Sequence, residues 1–280
     1  MSDLVLDELG YYLLAGAGGE GPATLMDEAR RGEQLGFGTA FISERWNVKE
    51  ASSLVGAACA VTERMQIATA ATNHNTRHPL ITGSWATTMH RLSRGRFTLG
   101  IGRGVAAMFN AFGVPAVTTA QMEDFAAVMR RLWHGEVVFN HDGPIGKYPV
   151  LFLDQDFDEN IRLALVAFGP QTLALGGRAF DDVILHTYFT PETLQRAVRA
   201  VKDAAEQAAM SSSRSSVRTE VGGLRDSSCG RRSPAPAQLA RRPSSRIQEA
   251  CRRIRLVRGC PRRRVERAVT RRRATVRADR

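Results

Sequence analysis

Residues 92–104 read LSRGRFTLGIGRG, and this stretch decides the fold class. A helical pattern ends near Leu92, a glycine turns the chain, and a largely apolar run follows at 97–101. A short apolar run bounded by glycines predicts a buried strand. The further glycines within and after the run let the backbone approach a ligand closely where the strand ends. The stretch therefore predicts one βα unit of a parallel sheet with a ligand site at its carboxyl end.

The alternation of buried strand and amphipathic helix repeats on both sides of this stretch. Strands are predicted at 9–15, 39–43, 65–71, 97–101, 163–167 and 183–186, with a hairpin over 137–153. Helices are predicted from Thr24 with Asp27 as its capping partner, over 79–92, from a capping box of Thr118 and Gln121, over 170–175, and from Thr190. The pattern predicts an α/β fold, a TIM-type (β/α)8 barrel of which six βα units are recognisable.

The net charge of +11 comes from one end of the chain. Residues 211–280 hold 21 arginines, no lysine and five acidic residues, whereas residues 1–210 carry a net charge of −5. The charge therefore gives the barrel no reason to bind nucleic acid.

No stretch approaches the roughly 20 apolar residues that span a bilayer, so we expect no membrane partner. We expect a cytoplasmic protein with a small-molecule substrate, and the pattern is compatible with a homodimer.

The barrel pattern stops near residue 209, which divides the chain into a barrel part, 1–209, and a tail, 210–280. All 19 aromatic residues lie at or before Phe189, and the tail is rich in Arg, Ser and Pro. Three interpretations stay open: a disordered basic arm, an unrelated natural extension, or a frameshifted translation of GC-rich DNA. The absence of lysine favours the frameshift. A barrel without its last two units would keep open strand edges, bind cofactor weakly and have poor solubility.

Residues 16–21 read GAGGEG, which matches the GxGxxG fingerprint of a dinucleotide site between a strand and a helix. In that fingerprint the glycines enter the helix directly, so that its N-terminus meets the pyrophosphate. Here Pro22 and Ala23 stand between the glycines and the helix start at Thr24. We therefore interpret the segment as a loop at the mouth of the barrel. The cysteine spacing matches no zinc pattern, and no metal site is predicted.

The stretch at 92–104 and its surroundings resemble the luciferase-like monooxygenase superfamily, in particular its coenzyme F-420-dependent (deazaflavin) oxidoreductases. The fourth unit has the form Leu-Ser-x-Gly-Arg followed by Phe-x-Leu-Gly-Ile-Gly-x-Gly. Further segments agree in the same order, at 41–45, 78–79, 167–172 and 180–185, and the resemblance covers residues 9–209. It implies a barrel whose C-terminal mouth holds the ring of either F-420 or flavin mononucleotide (FMN).

The resemblance also assigns candidate residues to this mouth. The candidate catalytic residues are Glu44 and His74. The candidate cofactor-binding residues are Ser43, Thr69, Ala70, Ala71, Asn73, Gly100, Gly102, Gly104, Gly169, Pro170, Gln171, Thr172 and His186. The family often has a non-proline cis bond at 69–71, behind the ring. It also often has His after the acid of the second strand, so Arg45 is a departure that puts proton transfer at that position in doubt.

Plainer interpretations of three of these features stay open. Glu44 could pair with Arg45, the small residues at 69–71 could serve tight core packing, and His74 could be a solvated loop group. The function that the resemblance implies is transfer of a hydride between reduced F-420 and a small organic substrate. The alternatives are an FMN-dependent luciferase-like monooxygenase and a non-enzymatic binding protein with a basic tail.

Overall fold

Six parallel strands form the main sheet of the computed structural model, which describes residues 6–15 and 21–221. The order across the sheet is β1-β2-β3-β4-β7-β8, and a separate hairpin consists of β5 and β6. The strands are β1 Leu6–Tyr12, β2 Phe37–Ile42, β3 Gln66–Thr69, β4 Phe97–Ile101, β5 Val138–Gly143, β6 Gly146–Leu151, β7 Arg162–Val166 and β8 Asp182–Ile184. The sheet curls into part of a TIM-type barrel, which confirms the predicted α/β fold and its six recognisable units.

Seven α-helices occur in the described residues, six between strands and one after β8. They are α1 Leu25–Gln34, α2 Ala51–Val61, α3 Pro79–Leu92, α4 Ala106–Ala111, α5 Thr119–Trp133, α6 Pro170–Ala179 and α7 Pro191–Val221. The bounds of α3 agree with the prediction. The capping box of α5 is also confirmed, because Gln121 N–H donates to Thr118 Oγ1 and Thr118 N–H donates to Gln121 Oε1. No α-helix was predicted at the position of α4.

The predicted capping pair of α1 is wrong. A 3-10 helix, Gly21–Thr24, precedes α1 and holds Thr24 in a helical backbone conformation, so its hydroxyl makes no capping bond. The Thr24 hydroxyl instead donates to Glu28 Oε1 at 2.9 Å. The glycine-rich segment singled out at 16–21 lies outside the described residues, except for Gly21.

The two faces of the sheet pack differently. Residues that face the helices, such as Ile67, Leu99 and Leu163, join the large core between sheet and helices. The opposite face has its own smaller apolar cluster, formed by Phe41, Ala68, Ala70, Ala164 and Ile184. Apolar residues cover both faces, as expected for the parallel sheet of an α/β barrel, which packs helices on its outer face and side chains on its inner face.

Helix α7 continues past residue 209, the predicted end of the barrel part, and ends at Val221. The interpretation of the tail concerns mainly residues 222–280, which lie outside the described residues, and the division at 209 stays a prediction. In the described part of the chain, no helix combines the length and hydropathy needed to cross a bilayer.

Candidate active site at the mouth of the barrel

A cavity of about 890 Å³ opens where strands β2, β3, β4 and β7 end. Each of these strands is followed by a loop that contributes to the lining, at 43–47, 71–73, 102–105 and 168–169, and Val166 at the end of β7 also lines the cavity. Catalytic and binding groups of TIM-type barrels lie at this carboxyl end, because the loops that follow the strands converge there. The cavity is therefore the candidate functional site.

The structure brings together about half of the residues that the sequence singled out. Those that line the cavity are Ser43, Glu44, Ala71, Asn73, Gly102, Gly104, Gly169 and Thr172. Those that do not line it are Thr69, Ala70, His74, Gly100, Pro170, Gln171 and His186. The second group lies in the walls behind the cavity or at its edge.

Thr69 and Gly100 hold strands β3 and β4 together behind the cavity. The Thr69 hydroxyl donates to Gly100 O, and Gly100 N–H donates to Thr69 Oγ1, both at 2.8 Å. A Cβ on Gly100 would lie 1.9 Å from Thr69 O, so this position requires glycine for packing. The peptide bond between Ala70 and Ala71 is cis, as the resemblance predicted for this segment.

Glu44 lies at the end of β2 with both carboxylate oxygens engaged. Oε1 accepts from Ala51 N–H at 3.0 Å, and Oε2 accepts from the Thr72 hydroxyl at 3.1 Å and from Arg77 at 3.3 Å. The Glu44 side chain is only 4 % exposed. The expectation that a structural role would pair Glu44 with Arg45 is therefore wrong, because its cationic partner is Arg77, from the loop before α3.

Two further arginines face the cavity, and neither forms an ion pair with a carboxylate of the described residues. Arg45 follows Glu44. Arg103 donates to Val117 O at 2.9 Å, to Thr172 Oγ1 at 3.2 Å and to the Thr119 hydroxyl. These contacts hold the Arg103 guanidinium beside the start of α6 but leave its charge uncompensated. The candidate list omitted Arg103, although it stands in the quoted stretch between two of the selected glycines.

Helix α6 begins at the same part of the cavity, where Gly169 and Thr172 contribute to the lining. Gly169 is the N-cap and Pro170 the first helical residue, and no side chain caps this end. The first N–H groups of a helix have no intrahelical acceptor, and the helix dipole favours an anion beside them. Since Gly169 and Thr172 line the cavity and Arg103 contacts Thr172, the helix end and the guanidinium form one corner whose positive charge favours an anion, which we call the anion-binding corner.

His74 is buried behind the cavity, which excludes the interpretation as a solvated loop group. It is 6 % exposed, its ring stacks on Phe125 at 5.1 Å, and Nδ1 has no hydrogen-bond partner among the described residues. Burial lowers the pKa of His74 to about 4. The ring is therefore neutral near pH 7 and has no contact with the cavity.

His186 packs at the edge of the cavity rather than in it. Its ring meets Phe168 edge to face at 4.8 Å, and its Nδ1 accepts from Tyr188 N–H at 3.1 Å. Phe168 itself lines the cavity and is half-exposed. The structure thus places His186 behind an aromatic residue that the sequence reasoning did not select.

Lys49 fixes the carboxyl end of β1 next to the site. Its buried Nζ donates to Leu13 O at 3.1 Å and to Leu14 O at 3.2 Å. Burial and the nearby Arg45 guanidinium lower the pKa of Lys49. Among the residues that the structure describes, no three His, Cys, Asp or Glu side chains come close enough together to hold a metal ion.

Fold and cavity together define an α/β protein of the TIM type with a largely apolar cavity at the carboxyl ends of its strands, lined in part by Glu44, Arg45 and Arg103. The chain belongs to the luciferase-like monooxygenase family, whose model matches residues 7–228. Its homologues are oxidoreductases and monooxygenases. The match extends beyond the predicted boundary at 209.

Two curated relatives carry reductase names. The 5,10-methylenetetrahydromethanopterin reductase of Methanolobus tindarius is 29% identical over 187 residues, which cover 64% of this chain and 55% of the relative. The phthiodiolone/phenolphthiodiolone dimycocerosates ketoreductase of Mycobacterium tuberculosis is 29% identical over 181 residues, 63% of this chain and 48% of the relative. The chain thus spans about half the length of these relatives.

Solved structures agree on the fold. The coenzyme F-420-dependent tetrahydromethanopterin reductase of Methanopyrus kandleri superposes with a TM-score of 0.62 at 23% identity, covering 71% of this chain and 61% of the other. The oxygenating constituent of 3,6-diketocamphane monooxygenase from Pseudomonas putida, in complex with FMN, gives a TM-score of 0.58 at 18% identity, with coverages of 71% and 63%. At these identities the likeness shows the fold alone.

Proposed function

We propose that the cavity binds coenzyme F-420 and that the protein is an oxidoreductase acting on a small organic substrate. The observation that carries this proposal is the anion-binding corner formed by Arg103 and the N-terminus of α6. No carboxylate of the described residues neutralises this guanidinium, so the corner suits the anionic part of a cofactor. The family and its reductase relatives support the same reaction class.

The residues at the cavity fit such a cofactor in size and in chemistry. The volume of about 890 Å³ is ample for a ring system and part of its tail. Gly102 lies beside Ala71 on the floor of the cavity and has no side chain. A Cβ at this position would lie 3.0 Å from Ala71 Cβ, so only glycine keeps the floor open there without crowding. We assign the ring to the floor at Ala71 and Gly102 and the phosphate to the corner at Arg103. Bound F-420 would supply the two-electron hydride chemistry.

The protein's own groups position the reactants in this proposal. Three donors fix the Glu44 carboxylate at the end of β2. We assign its remaining acceptor position to a hydrogen bond from the ring or the substrate. Arg45 keeps its charge and orients an acceptor group rather than transferring a proton. His74 has no place in the proposal, because its ring does not reach the cavity and stacks on Phe125 instead.

FMN is the second candidate cofactor. The Pseudomonas putida neighbour was solved with FMN, and a single phosphate would fit the same corner. The preference for F-420 follows the names of two solved neighbours, the tetrahydromethanopterin reductase and a secondary alcohol dehydrogenase, both F-420-dependent. The two cofactors require the same corner and are distinguished by direct titration.

The test is titration of the full-length chain into F-420, with the fluorescence of the cofactor as the readout. We expect saturable quenching, and we expect it to weaken in Arg103→Gln. Arg30→Gln is the matched control, because Arg30 is exposed on α1 and pairs with Asp27 far from the cavity. Saturable binding of FMN without any quenching of F-420 would select the second cofactor. Failure of both cofactors to bind would overturn the proposal.

A non-enzymatic binding protein remains the competing class, because 21 arginines lie in residues 211–280. A basic segment that binds nucleic acid gives an affinity that falls steeply with salt. A salt-dependent gel shift that disappears on removal of residues 211–280 would support that class. We expect no such shift at physiological salt and cofactor binding at the barrel instead.

A further inference from the structure

One wall of the cavity is apolar and open to the interior of the site. Four large apolar residues line this part of the cavity and form what we call the α4 wall: Val105, Met108 and Phe112, which lie on or beside α4, and Trp46, which follows β2. Their exposed fractions are 60 % for Val105, 47 % for Met108, 54 % for Phe112 and 38 % for Trp46. Clustered large apolar side chains left open at a cavity mark a binding surface.

A buried aromatic residue supports this wall from behind. Phe109 is 4 % exposed, and its ring fills the space beside Gly104, where a Cβ would lie 2.4 Å from the Phe109 ring. Trp46 stacks on Phe109 with centroids 5.0 Å apart, and Phe112 meets Trp46 edge to face at 5.9 Å. Gly104 therefore serves the packing of Phe109, and the wall is a set of fixed aromatic faces.

The α4 wall is also free of charge. No charged residue occurs from 104 to 118, the whole segment that carries α4. The charged groups of the cavity, Glu44, Arg45 and Arg103, come from other segments. The site thus combines the anion-binding corner with the apolar α4 wall. At the α4 wall a charged ligand group would lose its hydration without gaining a partner.

We propose that the α4 wall binds the ring of an uncharged aromatic carbonyl compound, which is the substrate class of this site. The inference rests on the proposed function, because it takes the cationic corner as the place of the cofactor phosphate. The ring would stack on Trp46 and Phe112, in the geometry that aromatic pairs prefer. The carbonyl oxygen would then lie toward Arg45, which lines the same cavity beside Trp46.

The test uses two probes that share the acetophenone skeleton, neutral 4-acetylbenzamide or acetophenone and the anionic 4-acetylbenzoate, of which the benzamide matches the benzoate in shape. Binding to the full-length chain is measured by saturation-transfer NMR and calorimetry, without cofactor and with saturating F-420. We expect acetophenone to bind at least about tenfold more tightly than 4-acetylbenzoate. We expect Phe112→Ala to lower the affinity for acetophenone about tenfold, which corresponds to the loss of one aromatic contact. We expect the affinity for F-420 to stay unchanged.

Phe139→Ala is the matched control, because Phe139 is 68 % exposed on β5 and does not line the cavity. Equal or tighter binding of 4-acetylbenzoate would overturn the inference and show that Arg45 recognises an anionic substrate. An unchanged affinity for acetophenone in Phe112→Ala, with an altered oligomeric state, would overturn it in favour of a contact between copies of the chain.

The two proposals fail in distinguishable ways. Normal binding of F-420 without any binding of acetophenone would overturn the substrate class and leave the proposed function intact. Binding of acetophenone that depends on Phe112, without binding of either cofactor, would support the apolar site and overturn the proposed function. Both variants replace exposed side chains, so their urea unfolding transitions should match that of the parent chain.

Discussion

The Glu44 carboxylate lies 3.3 Å from the Arg77 guanidinium, although 33 residues separate them along the chain. Arg77 also contacts Glu50, the N-cap of α2, and lies over the Trp85 ring at 5.7 Å. The pair thus joins the end of β2 to the start of α2 and to α3. It sets the orientation of Glu44, the one carboxylate that lines the cavity in the part of the chain that the structure describes.

Replacement of Arg77 should therefore destabilise the protein. In Arg77→Gln the Glu44 carboxylate, 4 % exposed, loses its cationic partner, and we expect a loss of about 3 kcal/mol in the free energy of unfolding. Urea unfolding measures this loss. Arg30→Gln removes a surface pair and should lose less than about 1 kcal/mol. Addition of Glu44→Gln to Arg77→Gln should restore part of the stability, and equal losses in the single and double variants would contradict the pairing.

Gly100→Ala and Gly169→Ala should differ sharply in their effects. A Cβ at Gly100 would lie 1.9 Å from the Thr69 carbonyl oxygen, so we expect the strands to separate and stability to fall by about 2 kcal/mol or more. A Cβ at Gly169 meets nothing within 4 Å, and the stability change should stay below about 1 kcal/mol, the cost of a poorer N-cap residue. Urea unfolding compares the two variants. Comparable losses would show that the packing of β3 against β4 does not require glycine.

Arg103 should determine affinity for an anionic cofactor. Arg103→Gln should weaken F-420 about tenfold to a hundredfold, because charge-assisted hydrogen bonds to phosphate are strong. Arg103→Lys keeps the charge and loses the forked geometry, so an intermediate affinity is expected. Fluorescence quenching gives both affinities. Urea unfolding checks that the loss of contacts to Val117 and Thr119 has not unfolded the start of α5. Unchanged affinity in Arg103→Gln would place the phosphate elsewhere.

The buried His74 should make stability depend on pH in the acidic range. Its pKa is about 4 in the folded chain against an ordinary 6.5, so the unfolded chain binds more protons between these values. Stability should therefore fall as the pH drops from 6.5 to 4, by on the order of 3 kcal/mol from this group. Urea unfolding at pH 7 and pH 5 measures the slope.

His74→Phe should remove this contribution and keep the stacking on Phe125. His134→Phe is the control, because the His134 side chain is 47 % exposed on the surface. A slope that is equally steep in His74→Phe and in the parent chain would show that other groups control the acid response.

The strands and helices followed from local pattern, and their positions were predicted well where the pattern was strong. Pro79–Leu92 and Phe97–Ile101 agree with the prediction, because a proline start, a glycine stop and an apolar run are all local signals. β1 begins at Leu6, whereas the prediction placed its start at residue 9. The prediction missed these residues because Asp7 and Glu8 are polar, and polar residues are tolerated in β1, which pairs only with β2 among the described strands. Cytoplasmic location, homodimer formation and the origin of the tail remain predictions.

The sequence by itself determined the family, the order of the βα units and the loops that carry the site. It determined these because hydrophobic period, turn residues and the glycine pattern at 92–104 are properties of neighbouring residues. Only the tertiary structure decided that Glu44 pairs with Arg77, that Arg103 reaches Thr172 across 69 residues, and that His74 lies behind the wall. Such contacts depend on how the carboxyl ends of separate strands converge in space. A pattern of neighbouring residues does not encode the distance between side chains on different strands.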